Sequence, residues 1–497
     1  MTTPSSYDHV LYPAHAYKET HPDHLAAIAL LHGLRTPDVR KCRVLEIGCG
    51  DGSNLIPMAV GLPGSSFIGV ELAGQPVETA TRTIEACGLT NVRVQRMNLM
   101  DVTKDFGMFD YILAHGVYSW VPKDVRNHLL RVCSQNLNPD GVAFISYNTF
   151  PAGHLRQACR EMIRFHLGSE FQATTNVEQG KAFLKMMVDA VEGENLWSAI
   201  LQSESQRFSK RDDRVTYHDE FGPSYAPVYF YDFVCEAKCE GLQFVSEAQT
   251  KDALHPSVSP NVLKSIEKLA GGDPIRFEQY LDLFSFNGFR GSMLTKSDVL
   301  VERGNPAKHI SYLNLASPLT KVQTHKDGSV EFKNRRGPGT ISTNDAGLIA
   351  ALRCLEEKWP QSVKYELLLK SASLQNPTSV ESDTFAKGML ELAANSLVDL
   401  RSQPLLLPNT VSPMPTASSL VRLQAAQGKL LTTLIHSHVE ISDVPVRRVL
   451  QLLDGTRDIT TLARSFLGDY PASSRSAIEV QLKAMIENFF RMGLLIA

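Results

Sequence analysis

Glu46-Ile47-Gly48-Cys49-Gly50-Asp51-Gly52 carries the clearest chemical signal in the sequence. It follows an apolar run and opens a helical pattern. Its glycines remove Cβ atoms where backbone and ligand must approach closely, and they permit positive φ in a tight turn. In open α/β sheets such a loop, at the carboxyl end of the first strand, lines the ligand crevice. No Gly-Lys-Ser/Thr occurs, so a phosphate-binding P-loop is excluded. The pattern is GxGxG preceded by an acid, not the GxGxxG of dinucleotide binders. An acid here would repel a pyrophosphate and suits a cation such as the ammonium and sulfonium of S-adenosylmethionine. A nicotinamide dehydrogenase and an α/β fold with chance glycines are the competing readings.

Further candidates follow from strand ends. Glu71 closes the second strand about 20 residues past the loop, where an acid accepts from ribose hydroxyls. Asn98 and Leu99 close the third and suit the edge and face of adenine, with Asn98 able to bond the amino group without charge assistance. Cys49, Asn54, Leu72 and Gly116 complete the candidate cofactor contacts with Glu46, Gly48 and Gly50. After the fourth strand come His115-Gly116-Val117-Tyr118-Ser119-Trp120, and the fifth ends in Tyr147-Asn148. Tyr118, Trp120 and Tyr147 are predicted to form an aromatic wall for an acceptor, with Asn148 beside it. His115 is the candidate proton acceptor and also a cofactor contact. Methyl transfer is an in-line displacement in which the protein mainly positions the reacting atoms. A lysine acceptor must first lose a proton, from a reference pKa of about 10.4, and desolvation helps. Tyr12, Tyr17 and His21-Pro22 are read as a lid over the cofactor. Structural roles stay open for His115, for Trp120 as helix-entry packing and for the first helix as a core anchor.

These residues need a sheet to position them. CRVLEIG, SSFIGVEL, NVRVQRMNL, FDYILAHG and GVAFISYN are short apolar strands alternating with helical runs. That order argues for a parallel sheet covered on both faces. GLQFVSEA and FRGSMLTK are predicted to complete seven strands, which makes the polar, helical stretch 155–225 an insertion after strand five. The expected fold is thus α/β and Rossmann-like, over residues 1–296. Two mainly α modules of winged-helix pattern follow, over 297–405 and 420–497: two short helices, a longer helix and a short apolar strand. RSQPLLLPNTVSPMPTASS, with four prolines, is read as the linker between them.

Composition narrows the function classes. The formal net charge is −3, and residues 421–497 carry nine Lys/Arg against seven Asp/Glu, so nothing favours nucleic acid. No run is long and apolar enough to span a bilayer, and the first residues lack a signal-peptide pattern. A reduced cytoplasm is the expectation. The eight cysteines show no metal-ligand spacing and are read as reduced thiols in packed cores, with no metal site.

Ala114-His115-Gly116-Val117-Tyr118-Ser119-Trp120-Val121-Pro122, together with YP…HP near the start and SYNTFPAG after strand five, resembles a bacterial group. These are the class I methyltransferases with a methyltransferase regulatory domain, among them the rickettsial protein-lysine methyltransferases. DDRVTYHDEF…VYFYDFV…GLQFVSEA resembles the regulatory region, over 205–295. VPVRRVLQLLDGTRD resembles the group's terminal winged-helix module. The resemblance implies S-adenosylmethionine as donor, S-adenosylhomocysteine as product, and methyl transfer to a protein or peptide side chain, lysine first. A small-molecule or peptide-natural-product methyltransferase and a non-catalytic S-adenosylmethionine sensor remain as alternatives. The oligomeric state is not read from the sequence; a homodimer is one option.

Overall fold

Seven strands hydrogen-bond into one mixed sheet in the order β3-β2-β1-β4-β5-β7-β6: β1 (Arg43–Ile47), β2 (Ser66–Glu71), β3 (Val92–Arg96), β4 (Phe109–Ala114), β5 (Leu137–Asn148), β6 (Leu242–Glu247) and β7 (Phe289–Lys296). The computed structural model describes residues 6–168, 173–191, 193–222, 224–255, 258–375, 382–466 and 475–497. The first five strands run parallel, and β7 runs antiparallel to both β5 and β6. The predicted seven-stranded Rossmann-like sheet is therefore present. Its apolar residues alternate between faces as strand geometry requires. Val44, Phe67, Leu113 and Phe144 enter one buried cluster with Ala29 and Ile56; Leu45, Ile68, Ile112, Ile145 and Tyr147 enter the other with Leu129 and Phe233.

The stretch after β5 is helical, as expected: Gly153–Leu167, Ala173–Ala190, Leu196–Lys210 and Asp213–Phe221. These helices close on a small core of Ile163, Val177, Leu184, Phe208 and Phe221.

Past β7 the chain is richer in strands than its sequence suggests. Leu319–Thr324, Val330–Asn334 and Thr340–Thr343 form an antiparallel sheet, and Asn314–Ala316 is flanked by Val363–Lys364 and Asp399–Arg401. Helices Ala346–Lys358, Tyr365–Gln375 and Ser382–Ala394 pack over them. This region does not stand apart. Leu352, Leu368 and Met389 share one continuous buried cluster with Leu25 and Leu113.

The C-terminal part has its own core, built from helices Ser419–Gln427, Val444–Leu452, Ile459–Phe466 and Arg475–Arg491. A hairpin, Leu430–Thr432 with His438–Glu440, lies between the first two helices. The sequence reading places neither that first helix nor the hairpin.

Two expectations need correction. The proline-rich linker does not begin at Arg401. Arg401 ends a strand and is 1% exposed, and with Ser402 and Gln403 it grips Asp23 at the start of helix Pro22–Leu31. Proline content marks the stretch that follows, not these residues. Cys235 and Cys239 are not core thiols; both are exposed on helix Phe230–Cys239. No helix among the described residues is long and apolar enough to cross a membrane.

Candidate functional site

The loop after β1 turns back on itself through three left-handed glycines, with φ of 69° at Gly48, 54° at Gly50 and 75° at Gly52. A Cβ at Gly48 would stand 2.6 Å from Val117 Cγ2, and one at Gly52 2.8 Å from Ile56 Cδ1. Substitution there fails on both backbone and space. A Cβ at Gly50 would meet nothing within 4 Å, so the loop faces open space at that point. Cys49 instead points into the sheet, with its Sγ against Gly69, and burial pushes its thiol well up. It is packing, not a reactive group.

Glu46 is buried at the mouth of this loop. Its Oε1 accepts from Asn54 Nδ2 at 2.7 Å, whereas its buried Oε2 has no partner. Burial pushes its pKa up to about 8, opposed by the Asn54 bond, with the carboxylates of Asp51 and Glu71 adding to the rise. A buried carboxylate oxygen without a donor is costly, and a cation beside it would remove that cost. Glu71 lies across the loop. It accepts from Gly50 N at 3.1 Å and Ala73 N at 2.9 Å, which ties the first two strand ends together. A carboxylate accepts up to about four bonds, so both oxygens keep capacity. Leu72 follows, 49% exposed on the rim. Asn98 caps a short turn by accepting from Met100 N at 3.0 Å, and Leu99 is buried beside it. The Asn98 carbonyl is thus half engaged before any ligand arrives.

The strand-four end delivers His115 and Gly116. Gly116 N donates to Ser146 Oγ at 2.8 Å, which locks this turn to β5. The His115 ring packs on Tyr17 at 4.0 Å between centroids, with Phe144 at 6.0 Å and Phe289 edge-on at 6.2 Å. Its Nδ1 is buried without a partner, and burial holds its pKa down at about 4. The imidazole is neutral near pH 7 and a weak base.

The predicted wall of Tyr118, Trp120 and Tyr147 does not form. Tyr147 shares the strand face of Ile145 and points into the core, stacked on Phe233 at 4.1 Å with its hydroxyl on Ser292. Tyr118 is fully buried in the same cluster and donates to Glu236 at 2.5 Å. Trp120 lies elsewhere, against Tyr225 and the guanidinium groups of Arg156 and Arg160. It clamps the helical insertion to the turn after β4. Asn148 is buried too: its N–H donates to Ser119 Oγ at 2.8 Å and its Nδ2 to Gly288 O at 3.4 Å. The aromatic surface around His115 is built instead from Tyr17 and Phe289, over the buried ring of Phe144. Phe289 opens β7 directly opposite Asn148 and is 40% exposed. Sequence reasoning misses it because only antiparallel pairing brings it to the strand-four end.

The N-terminal segment joins these pieces. Tyr17 N donates to Asn54 Oδ1 at 2.9 Å. Tyr12 turns away, its hydroxyl on Asp219 at 3.5 Å, and Asp8 accepts from Gly74 N and Gln75 N. Tyr17 therefore sits over the cleft, and Tyr12 does not. Among the described residues no group of three or more His, Cys, Asp or Glu could hold a metal ion.

Three family models match the chain: a methyltransferase domain over 45–143, a predicted methyltransferase regulatory domain over 212–296, and the PKMT C-terminal winged helix domain over 414–479. Two uncharacterized proteins of Rickettsia prowazekii are similar in sequence. One is 27% identical across 93% of this chain and 85% of its own. The other is 36% identical across 48% of this chain and 95% of its own. The structure of PKMT2 from Rickettsia typhi in complex with AdoHcy shares the fold, with a TM-score of 0.84 at 23% identity over 98% of this chain and 100% of that one.

Proposed function

This chain belongs to the methyltransferases that carry a methyltransferase regulatory domain, and from that premise we propose that it methylates lysine side chains of proteins with S-adenosylmethionine as donor. The observation that carries the donor half is the buried, partnerless Glu46 Oε2 beside an open glycine loop. S-adenosylmethionine would supply an electrophilic methyl carbon on a sulfonium. In this reading Glu46 receives the methionine ammonium. The backbone of Gly48, Cys49 and Gly50 allows close approach, and Asn54 and Tyr17 close one side. Glu71 accepts from the ribose, Leu72, Asn98 and Leu99 border the adenine, and His115 and Gly116 line the methyl end.

The acceptor half rests on the apolar surface at the other end of the cleft. Tyr17, Phe144 and Phe289 surround His115 with little polarity, and Leu283, Phe284 and Phe286 leave further apolar surface exposed just before β7. An apolar rim disfavours the ammonium form of a lysine and so favours loss of its proton. His115 is neutral near pH 7 and adds no competing positive charge. With its pKa near 4 it is too weak a base to keep the proton, which passes to solvent. The likeness to PKMT2 and the PKMT-type winged helix support a protein acceptor, as do the large regions beyond the sheet, which a small acceptor does not require.

Phe289→Ala should lower kcat/KM for methyl transfer about tenfold, within the range of one cation–π contact to the positive charge that develops on the amine in the transition state, and leave S-adenosylhomocysteine affinity unchanged. Steady-state kinetics with calorimetric titration reads both; an equal loss of cofactor affinity would move Phe289 out of the acceptor side. The proposal as a whole is tested with methyl-labelled S-adenosylmethionine and a cell extract. Label in protein supports it, label confined to small molecules replaces the acceptor class, and cofactor binding without transfer replaces the enzyme with a sensor.

A further inference from the structure

The hairpin of the C-terminal part ends at the cofactor loop. Its turn is tight: Thr433 N donates to Ser437 O at 2.8 Å, and His436 N to Thr433 O at 3.0 Å. His436 sits there with φ of 55°, a left-handed conformation uncommon for a side chain larger than glycine's. That conformation sends its ring inward, 3% exposed, to lie 5.0 Å from the His21 ring. Its Nε2 is 3.0 Å from Asn54 Oδ1.

The protons in this network are determined by counting donors and acceptors. Tyr17 N–H is a donor and fixes the Asn54 oxygen toward itself. The Asn54 amide nitrogen then faces Glu46 Oε1 at 2.7 Å and Thr20 Oγ1 at 3.0 Å and spends both its protons there. Thr20 passes its own hydroxyl proton to Tyr17 O at 2.8 Å. Thr20 Oγ1 also lies 3.1 Å from Asn54 Oδ1, but its single proton goes to the shorter contact at Tyr17 O, so the acceptor position left on Oδ1 faces Nε2, which must carry a proton to fill it. His436 is therefore the neutral tautomer with its proton on Nε2, and burial, which drives its pKa down to about 3, keeps it so. With that bond all four hydrogen-bonding positions of Asn54 are used. A fully satisfied buried amide holds one orientation; a partly satisfied one does not.

The same hairpin holds the strap on the other side of Asn54. Ala16 N donates to His438 Nε2 at 3.4 Å, and the His15 ring meets the His438 ring edge-on at 5.4 Å. Arg336 bonds Ser437, so the middle region braces the turn from outside. The first β-strand's loop, the N-terminal strap and the C-terminal hairpin converge on one asparagine side chain.

We infer that the C-terminal part completes the cofactor site, with His436 as a positioning residue that orients Asn54 and, through it, sets Glu46 and Tyr17 to receive the methyl donor. The inference rests on the assignment of the glycine loop to S-adenosylmethionine. It gives the C-terminal part a role in donor binding, separate from any role in gripping an acceptor. A molecule that pulls the hairpin away would weaken donor binding without touching the loop.

The test titrates the full-length chain with S-adenosylhomocysteine and measures steady-state kinetics. His436→Phe keeps a ring and removes the donor. It should raise the S-adenosylhomocysteine Kd and the KM for S-adenosylmethionine about tenfold and leave kcat nearly unchanged. His436→Gln restores an N–H donor and should recover most of the affinity. His436→Phe combined with Asn54→Ala should cost little more than Asn54→Ala alone, because the two act through one bond. If the phenylalanine variant does not fold, His436→Leu takes its place. Wild-type affinity in a folded non-donor variant would overturn the role of His436, as would a glutamine variant no better than the phenylalanine one. A wild-type chain that does not bind S-adenosylhomocysteine would overturn the donor assignment itself.

Discussion

Glu46→Gln lowers the affinity for S-adenosylhomocysteine by roughly 10- to 100-fold, the weight of one to two hydrogen bonds to a charged group. Glutamine keeps the shape and can still accept from Asn54, so the loop is preserved and only the charge is lost. The wild-type protein adds a pH signature that the variant lacks. Burial holds the free Glu46 near pKa 8, so below that pH it is mostly protonated. A ligand ammonium favours the carboxylate, and binding therefore releases a proton. Affinity falls as pH drops below about 8, by at most tenfold per unit. Above about 8 the carboxylate is formed and wild-type affinity levels off, whereas the acid limb flattens in Glu46→Gln. Calorimetric titration at several pH values reads both effects. Equal affinities, or an acid limb of equal slope, would remove Glu46 from the ammonium site.

Asp23→Ala destabilises the folded chain by about 3–5 kcal/mol, the usual effect of removing one partner from a buried ion pair. Asp23 Oδ2 lies 3.4 Å from Arg401 Nη1, and both side chains are essentially inaccessible. Its Oδ1 accepts from Ser402 N at 2.9 Å, Ser402 Oγ at 2.7 Å and Gln403 N at 2.9 Å. Alanine leaves three donors without their acceptor and the guanidinium with only its longer contact to Asp399, at 3.7 Å. Lys18 pairs with Asp399 beside them, so the loss also loosens the strap that carries Tyr17. Asp23→Asn with Arg401→Met should recover most of the loss, since the amide oxygen still accepts from Ser402 and Gln403 and both charges of the pair are removed together. Urea unfolding of the wild type and the two variants decides this. A loss below about 1 kcal/mol for Asp23→Ala would mean that the pair is not a structural tie.

The parts of this molecule that were legible in the sequence are those whose cause is local. The glycine loop needs positive φ at three nearby positions, and only glycine supplies that without strain, so the pattern is written in consecutive residues. The strands are short apolar runs because both faces of the sheet are covered. The acceptor side is obscured in the sequence for an equally local reason. Tyr147 and Asn148 are neighbours in sequence, but strand alternation sends them to opposite faces, and Tyr147 goes to the core. Phe289 and His436 carry no signal that could have placed them. Strand pairing brings the first to the site and a hairpin from the far end of the chain brings the second. Arg401 reads as linker because prolines dominate the residues after it, whereas its charge partner lies near the other end of the sequence.

The central claim is methyl transfer from S-adenosylmethionine to protein lysine. The most direct measurement is tandem mass spectrometry of extract proteins after incubation with the purified chain and methyl-labelled cofactor. The account predicts labelled methyl groups on lysine side chains, strongly reduced when Glu46→Gln is used at a cofactor concentration below its Kd. Label only on other side chains, or only on small molecules, would contradict it.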